Sequence, residues 1–390
     1  MTTPDISQLI EQLKSVAASP PQDDKLRKQL YNAAQGLSLA VESPYDTIYR
    51  VIYSVSVKNG GPTTATELAG PTGADPTFTA RIARYLSSHG FISEVGEDTY
   101  QANHLTETLS IEGFRAGMNQ AFQGIAPCFQ VAPKFWAEKK YANPTNVVDT
   151  PFQVAFKTEL PAFIWLQSNA ELVADFGLWM TAVHNGQKTW LDVVDFESLV
   201  QGSDAETPVF VDIGGGIGSQ CAILKAKFPN LTGRVILQDL PVVVEQYALP
   251  TEGVEKTAFD FWGEQPVKGK TDPFISSVVH RADNVSGAKT YYMRNILHDY
   301  PDEKALTILK NTIAAMGPDS VILIDEMIIP DKGAHPHATE QDMVMLTTLS
   351  SMERTQKQWD ALLAAAGLKA VKKATYLEDT GDSLQTVVRQ

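Results

Sequence analysis

The sequence predicts an α/β fold, a doubly wound and mostly parallel sheet over residues 206–390, behind a mostly helical first half. Three observations predict it. After Thr207, short apolar runs alternate with amphipathic stretches in the order strand, helix, strand. The first run, Val209 to Ile213, is mostly apolar, as a strand buried on both faces requires, and it leads into Gly214, Gly215, Gly216 and Gly218. Acids then recur where the next runs end, at Asp239 and Asp260. In such a sheet, ligands bind beyond the carboxyl ends of the strands.

The totals bound the rest. At 390 residues the chain exceeds one ordinary core, so two domains are expected. Hydrophobic residues at 43% and charged residues at 20% describe a globular protein. A net charge of −14 repels polyphosphate, which argues against a nucleic-acid partner. Cys128 and Cys221 give no disulfide framework and no zinc-ligand spacing, so both are expected to be reduced and packed. No run approaches the ~20 apolar residues of a membrane helix, and no charged stretch followed by an apolar run marks the N-terminus. A cytoplasmic protein without a membrane partner is expected.

In chain order, residues 1–40 read as a helical arm. Ile6, Leu9, Ile10, Leu13 and Val16 fall at helix spacing, Pro20-Pro21 interrupts, and Leu26, Leu30, Ala33 and Leu37 resume it. Residues 41–110 follow as short helices and a hairpin. A helix is expected over 46–57, and Thr64 with Glu67 forms a capping box for Ala65 to Ala69. Asp75 or Thr77 starts a helix with Phe78, Ile82, Tyr85 and Leu86 as its apolar stripe, and a turn at Glu97-Asp98 joins two strands. This is a winged-helix layout. Arg81 and Arg84 alone are too few for a DNA-reading helix, so a dimerisation module is favoured. Residues 111–205 are helical, with a long helix from Leu166 to Val183, and 206–390 form the sheet domain.

The strand ends carry the chemistry. A glycine turn lets a ligand approach the backbone without meeting a Cβ. Asp239, about 20 residues later, suits ribose hydroxyls, and Asp260 beside Phe261 suits an adenine amino group and ring face. A fourth strand ends in Arg294 to Tyr300, which includes His298. His335 and His337 lack a third ligand and read as solvated loop residues, Trp359 reads as core, and no metal cluster is evident.

Taken together, 211–218, Gln238 to Pro241, Arg294 to Tyr300, Asp325-Glu326 and Glu353-Arg354-Thr355 resemble the caffeate-type class I O-methyltransferases of plants and fungi. The resemblance spans nearly the whole chain. It implies a Rossmann-like domain that binds S-adenosyl-L-methionine, an N-terminal dimerisation domain giving a homodimer, and a small-molecule acceptor. It further implies that Asp212, Gly214, Gly215, Gly216, Asp239 and Leu240 hold the methionine end and ribose. Asp260, Phe261 and Tyr300 would hold the adenine, and Arg294 would reach the cofactor. His298 would be the general base, with Glu326 and Glu353 orienting its ring. Some fungal members of this fold bind the cofactor yet catalyse dehydration or pericyclic rearrangement, which leaves a second reaction class open. The chain departs from the family pattern at 270–286, an insertion expected to be either an active-site flap or an intron read through in frame.

Overall fold

The computed structural model describes residues 11–16, 21, 23, 26–27, 30, 33–34, 60–183, 186–268, 287–378 and 380–390. Residues 11–16 of the expected arm are helical. The rest of its first helix, the helix at 46–57 and the 270–286 insertion lie outside the described residues. The chain divides into two compact units, Met1–Arg115 and Ala116–Gln390.

In the first unit, β1 (Thr63–Thr64) enters α1 (Ala65–Ala69) through the expected capping box. Thr64 Oγ1 accepts from the Glu67 amide at 3.3 Å, and Glu67 Oε2 accepts from the Thr64 amide at 2.8 Å. α2 (Pro76–Ser88) starts at Asp75, whose carboxylate accepts from the Phe78 amide at 2.9 Å. β2 (Ser93–Gly96) and β3 (Thr99–Gln101) form the hairpin, and β1 pairs with β3. The face that α2 buries differs from the expected stripe. Thr79, Ala80 and Ala83 point inward, while Phe78 and Tyr85 are 51% and 61% exposed. Small residues bring this helix close to its neighbours and leave the aromatics outside. Arg84, one of its two cations, is engaged by Asp98 at 2.6 Å.

The helical region contains α3 (Glu112–Asn119), a π-helical turn (Gln120–Ile125), α4 (Ala126–Glu138) and α5 (Pro151–Phe156). The helix expected over 166–183 is α7 (Ala170–Ala182), and a break separates it from α6 (Ala162–Leu166), which takes Leu166. Asn169 causes the break: its backbone is extended, and its side chain caps α7 by accepting from the Leu172 amide at 3.2 Å.

The sheet is built from β4 (Pro208–Ile213), β5 (Arg234–Asp239), β6 (Val254–Ala258), β7 (Thr290–Arg294), β8 (Val321–Ile329), β9 (Leu368–Leu377) and β10 (Asp382–Arg389). Their order is β9-β10-β8-β7-β4-β5-β6. Strands β4 to β8 pair in parallel, and β10 runs antiparallel to both β8 and β9. From β4 the chain adds β5 and β6 on one side and then returns to add β7 on the other. That reversal places the switch point, and the ligand crevice, beyond the carboxyl ends of β4 and β7.

Alternation along the strands sorts the two cores. Val211, Tyr291 and Ile322 pack with Trp359 and α9 (Asp302–Ala315) on one face. Phe210, Tyr292 and Leu323 pack with Trp190, Phe196 and α8 (Ser219–Lys227) on the other. Trp190 is fully buried and stacks on Phe210 at 5.4 Å between ring centroids, with its indole N–H donated to Gln220 at 3.1 Å. Cys128 and Cys221 are buried free thiols. His335 ends its loop and caps α10 (Pro336–Leu349) by accepting from the His337 amide at 3.2 Å, and both histidines are exposed as expected. Among the described residues, no helix is long and apolar enough to cross a membrane.

Trp190 closes one core without reaching the crevice. Trp190→Ala is expected to cost about 3–5 kcal/mol, read as a lowered urea midpoint with cofactor affinity retained after correction for the folded fraction.

Candidate active site

The glycine turn leaves β4 in a conformation that side chains resist. Gly214 and Gly216 have φ of 68° and 59°. Gly215 has an ordinary φ, but a Cβ there would lie 2.5 Å from the Asp212 carboxylate and 2.6 Å from Leu237. Asp212 therefore sits directly beneath the turn, fully buried, and accepts from the Cys221 thiol at 3.5 Å. Burial pushes its carboxyl up to about 7.

Asp239 ends β5 and reaches across to the same turn. Its Oδ2 accepts from the Gly216 amide at 2.8 Å and its Oδ1 from the Leu240 amide at 2.7 Å. Each oxygen keeps a further lone pair for a ligand hydroxyl. β6 stops at Ala258, and Asp260 follows in a turn where Oδ1 accepts from the Trp262 amide at 3.1 Å. Phe261, Trp262 and Tyr300 meet edge to face, with centroid distances of 5.2, 5.0 and 5.8 Å around the triangle. Trp262 was not foreseen from the sequence, where its one signal is adjacency to Phe261. Asn311 fixes this loop by donating to the carbonyls of Phe261 and Trp262 at 2.9 and 3.0 Å.

Arg294 ends β7. One guanidinium nitrogen lies 3.4 Å from Asp325 and the other 3.8 Å from Asp382. Asp325 also accepts from the hydroxyls of Tyr292 and Tyr376. Among the described residues, Arg294 Nη2 is buried without a hydrogen-bond partner, so this nitrogen keeps donor capacity although Asp382 faces it.

After β7, Asn295 takes a left-handed backbone, φ 51°, and the chain enters a 3-10 turn at Leu297–Asp299 that carries His298. His298 Nδ1 lies 2.7 Å from Glu353 Oε1, 3.9 Å from Glu326 Oε2, and its Nε2 lies 3.4 Å from Asp299. The two expected orienting acids thus differ in what they hold. Glu353 hydrogen-bonds the ring. Glu326 Oε1 instead accepts from the amides of Ile296 and Leu297 at 3.0 and 2.8 Å and so holds the backbone of the turn. Glu326 lies within β8, one residue past the Arg294–Asp325 pair that ends the register with β7. Burial alone would lower the imidazole, but Glu353, Asp299 and Glu326 raise it well above its ordinary value. Burial pushes Asp299 and Glu326 up to about 7. Asp299 is a second side chain that the sequence reading did not single out.

His298, Glu326 and Glu353 also bring three ligand-type atoms within 4.8 Å of one another. The 2.7 Å contact between Nδ1 and Glu353 Oε1 is a hydrogen-bond distance.

A glycine turn that admits no Cβ at Gly214 or Gly215, a carboxylate at the end of the second strand, an aromatic wall and a buried guanidinium fit a nucleoside carrying an amino-acid tail. That fold and crevice define a class I, S-adenosyl-L-methionine-dependent methyltransferase. The chain belongs to the O-methyltransferase family: the family's O-methyltransferase domain matches residues 180–369. O-methyltransferase lepI of Aspergillus flavus is 34% identical over 362 residues, covering 88% of this chain and 89% of that protein. The demethylsterigmatocystin 6-O-methyltransferase of the same species is 32% identical over 394 residues, covering 96% of each. Among solved structures, LepI in complex with S-adenosylmethionine superposes with a TM-score of 0.75 at 33% identity, covering 99% of this chain and 98% of that one. A structure described as a pericyclic reaction enzyme gives the same TM-score at 32% identity and 99% coverage of both chains. S-adenosyl-L-methionine is the cofactor.

The space at Gly215 provides a direct check. Gly215→Ala is expected to weaken cofactor binding by about tenfold or more, equivalent to about 1.4 kcal/mol, measured by calorimetric titration of S-adenosyl-L-methionine into the folded variant.

Proposed function

We propose that the protein transfers a methyl group to the oxygen of a phenolic or enolic small molecule, a secondary-metabolite intermediate, with His298 as general base. The observation that carries this is the short contact between His298 Nδ1 and Glu353 Oε1. With Nδ1 engaged by a carboxylate, Nε2 is the nitrogen left to take a proton from the acceptor. Glu326 fixes the turn beneath the ring, and Asp299 and Glu353 stabilise the imidazolium formed once the proton has moved. Bound S-adenosyl-L-methionine supplies the electrophilic methyl group on a sulfonium. Asp239 and the glycine turn hold its ribose and amino-acid end, Asp260 with the aromatic triangle holds its adenine, and Arg294 Nη2 donates to it. The named methyltransferases among the relatives support this reading.

A second reading has a specific observation behind it, the likeness to a pericyclic reaction enzyme. There, His298 and Arg294 would act by stabilising charge, and no methyl group would leave the cofactor. Incubation with methyl-labelled cofactor and a panel of phenols and enols separates the two. Product carrying label supports transfer; product without label supports rearrangement or dehydration.

The protein is further inferred to be a homodimer assembled through its first unit. The exposed Phe78 and Tyr85 of α2 support this, since paired aromatics left outside a core mark an association surface. Light scattering is expected to give the mass of two chains, and Phe78→Ser with Tyr85→Ser to shift it toward one.

His298→Gln is expected to lower the transfer rate by about 10²–10⁴-fold with cofactor affinity kept. The sign of the pH dependence follows from the raised imidazole. Below its folded value the ring is protonated and cannot accept, so the rate rises with pH past the ordinary ~6.5 of histidine. Glu353→Gln removes an anion facing the ring, so the rate limb is expected to move acidward while the maximum falls.

A further inference from the structure

We propose that Arg354 is a positioning residue, which sets the backbone of the His298 turn while its neighbour Glu353 sets the ring. This rests on the reading of His298 as the base.

Arg354 is completely buried, yet its bonds go to the segment 297–302 and not to an element of its own. Nη1 donates to the Leu297 carbonyl at 2.8 Å, and Nη2 to the Tyr300 carbonyl at 2.8 Å. Nε and Nη2 both donate to Asp302 Oδ1, at 3.0 and 2.8 Å. The two carbonyls bracket His298, and at the end of so short a turn most carbonyls lack a helical donor. A planar fork that reaches two carbonyls and a carboxylate together is a property of arginine that lysine does not share. The guanidinium lies 5.2 Å from the ring of Trp359, which limits its movement on one side.

The same short segment takes hold at two more points. Ser351 donates to the carbonyl of His298 itself, and Glu353 binds Nδ1. The segment is fixed in turn by Asp342, which accepts from the Glu353 amide at 2.8 Å, and by the pairing of Arg354 and Thr355 with Ile328 and Ile329. Residues 351–354 therefore grip the turn at the Leu297, His298 and Tyr300 carbonyls and at the imidazole. Arg354 carries two of those four points. Because one of them is Tyr300, the same side chain also steadies the aromatic triangle.

Arg354→Lys keeps the charge and loses the fork, so it isolates geometry from electrostatics. It is expected to lower kcat by about tenfold to 100-fold, the scale of a displacement near 1 Å. The titration of the His298 ring, which faces Glu353, Glu326 and Asp299, is expected to move toward ~6.5 as the Glu353 contact loosens. Histidine-labelled protein followed by NMR reads that midpoint without turnover, with the His298 signal identified among seven histidines by its loss in His298→Gln. Asp302→Asn, at an exposed position, is expected to shift the midpoint the same way by less. Arg354→Met tests loss of the whole group, and if it does not fold, the lysine and asparagine variants decide. A wild-type midpoint and pH profile in Arg354→Lys would overturn the proposal even if its melting temperature fell. Should His298→Gln instead keep transferring methyl groups, the reading of the base fails, and the NMR midpoint still judges Arg354.

Discussion

The parallel register of β4, β7 and β8 is the constraint on which the site depends. Phe210, Val211 and Asp212 pair with Thr290, Tyr291 and Tyr292, so the two strands finish side by side. Their turns then touch: a Cβ on Gly214 would lie 2.6 Å from Ile296 Cδ1. One step further across, Glu326 of β8 accepts from the Ile296 and Leu297 amides. The crevice for the cofactor and the turn for His298 are thus one contiguous structure, set by sheet pairing. A register slip of one residue in β7 would point every side chain to the opposite core and move His298 away from its acids.

Buried acids do much of the structural work at this edge, at an electrostatic cost. Asp212, Asp299 and Glu326 are all pushed up to about 7 by burial. Their compensation is local. Glu326 takes two backbone amides, Asp239 takes two, and Asp325 takes two tyrosine hydroxyls with Arg294 alongside. A carboxylate that collects amides from a loop fixes that loop without occupying the ligand space above it, which is why acids and glycines recur together at these strand ends.

The strands and the ligand end of the sheet were legible because their signals are local: apolar runs, glycines after a strand, acids at strand ends. The aromatics of α2 were placed in its stripe by periodicity, but Ala80 and Ala83 won the core because small residues permit closer packing. The start of α7 after Asn169 was hidden because the apolar pattern begins at Leu166, and only the capping side chain of Asn169 sets the first turn. Glu326 and Glu353 looked equivalent in sequence. The difference between them, one on backbone and one on imidazole, comes from β8 running on past β7, a tertiary fact. Arg354 stood in the Glu353-Arg354-Thr355 segment that carries the resemblance, but no residue pattern assigned it a role. A buried cation that serves a segment more than fifty residues away leaves no period to detect.

The acids around His298 bear on both proposed reactions, methyl transfer and charge-stabilised rearrangement. A site that used a cationic imidazole to stabilise negative charge on a substrate would depend on acids that keep the ring protonated, as Glu353, Asp299 and Glu326 do. A base gains from them, because each favours the imidazolium that proton abstraction creates. The cost is a ring that holds its proton more tightly in the resting state, so acceptor oxygens with acidic protons suit it best. Phenols and enols ionise more readily than alcohols, so they are the acceptors that the proposed transfer would take with Glu353, Glu326 and Asp299 around the ring.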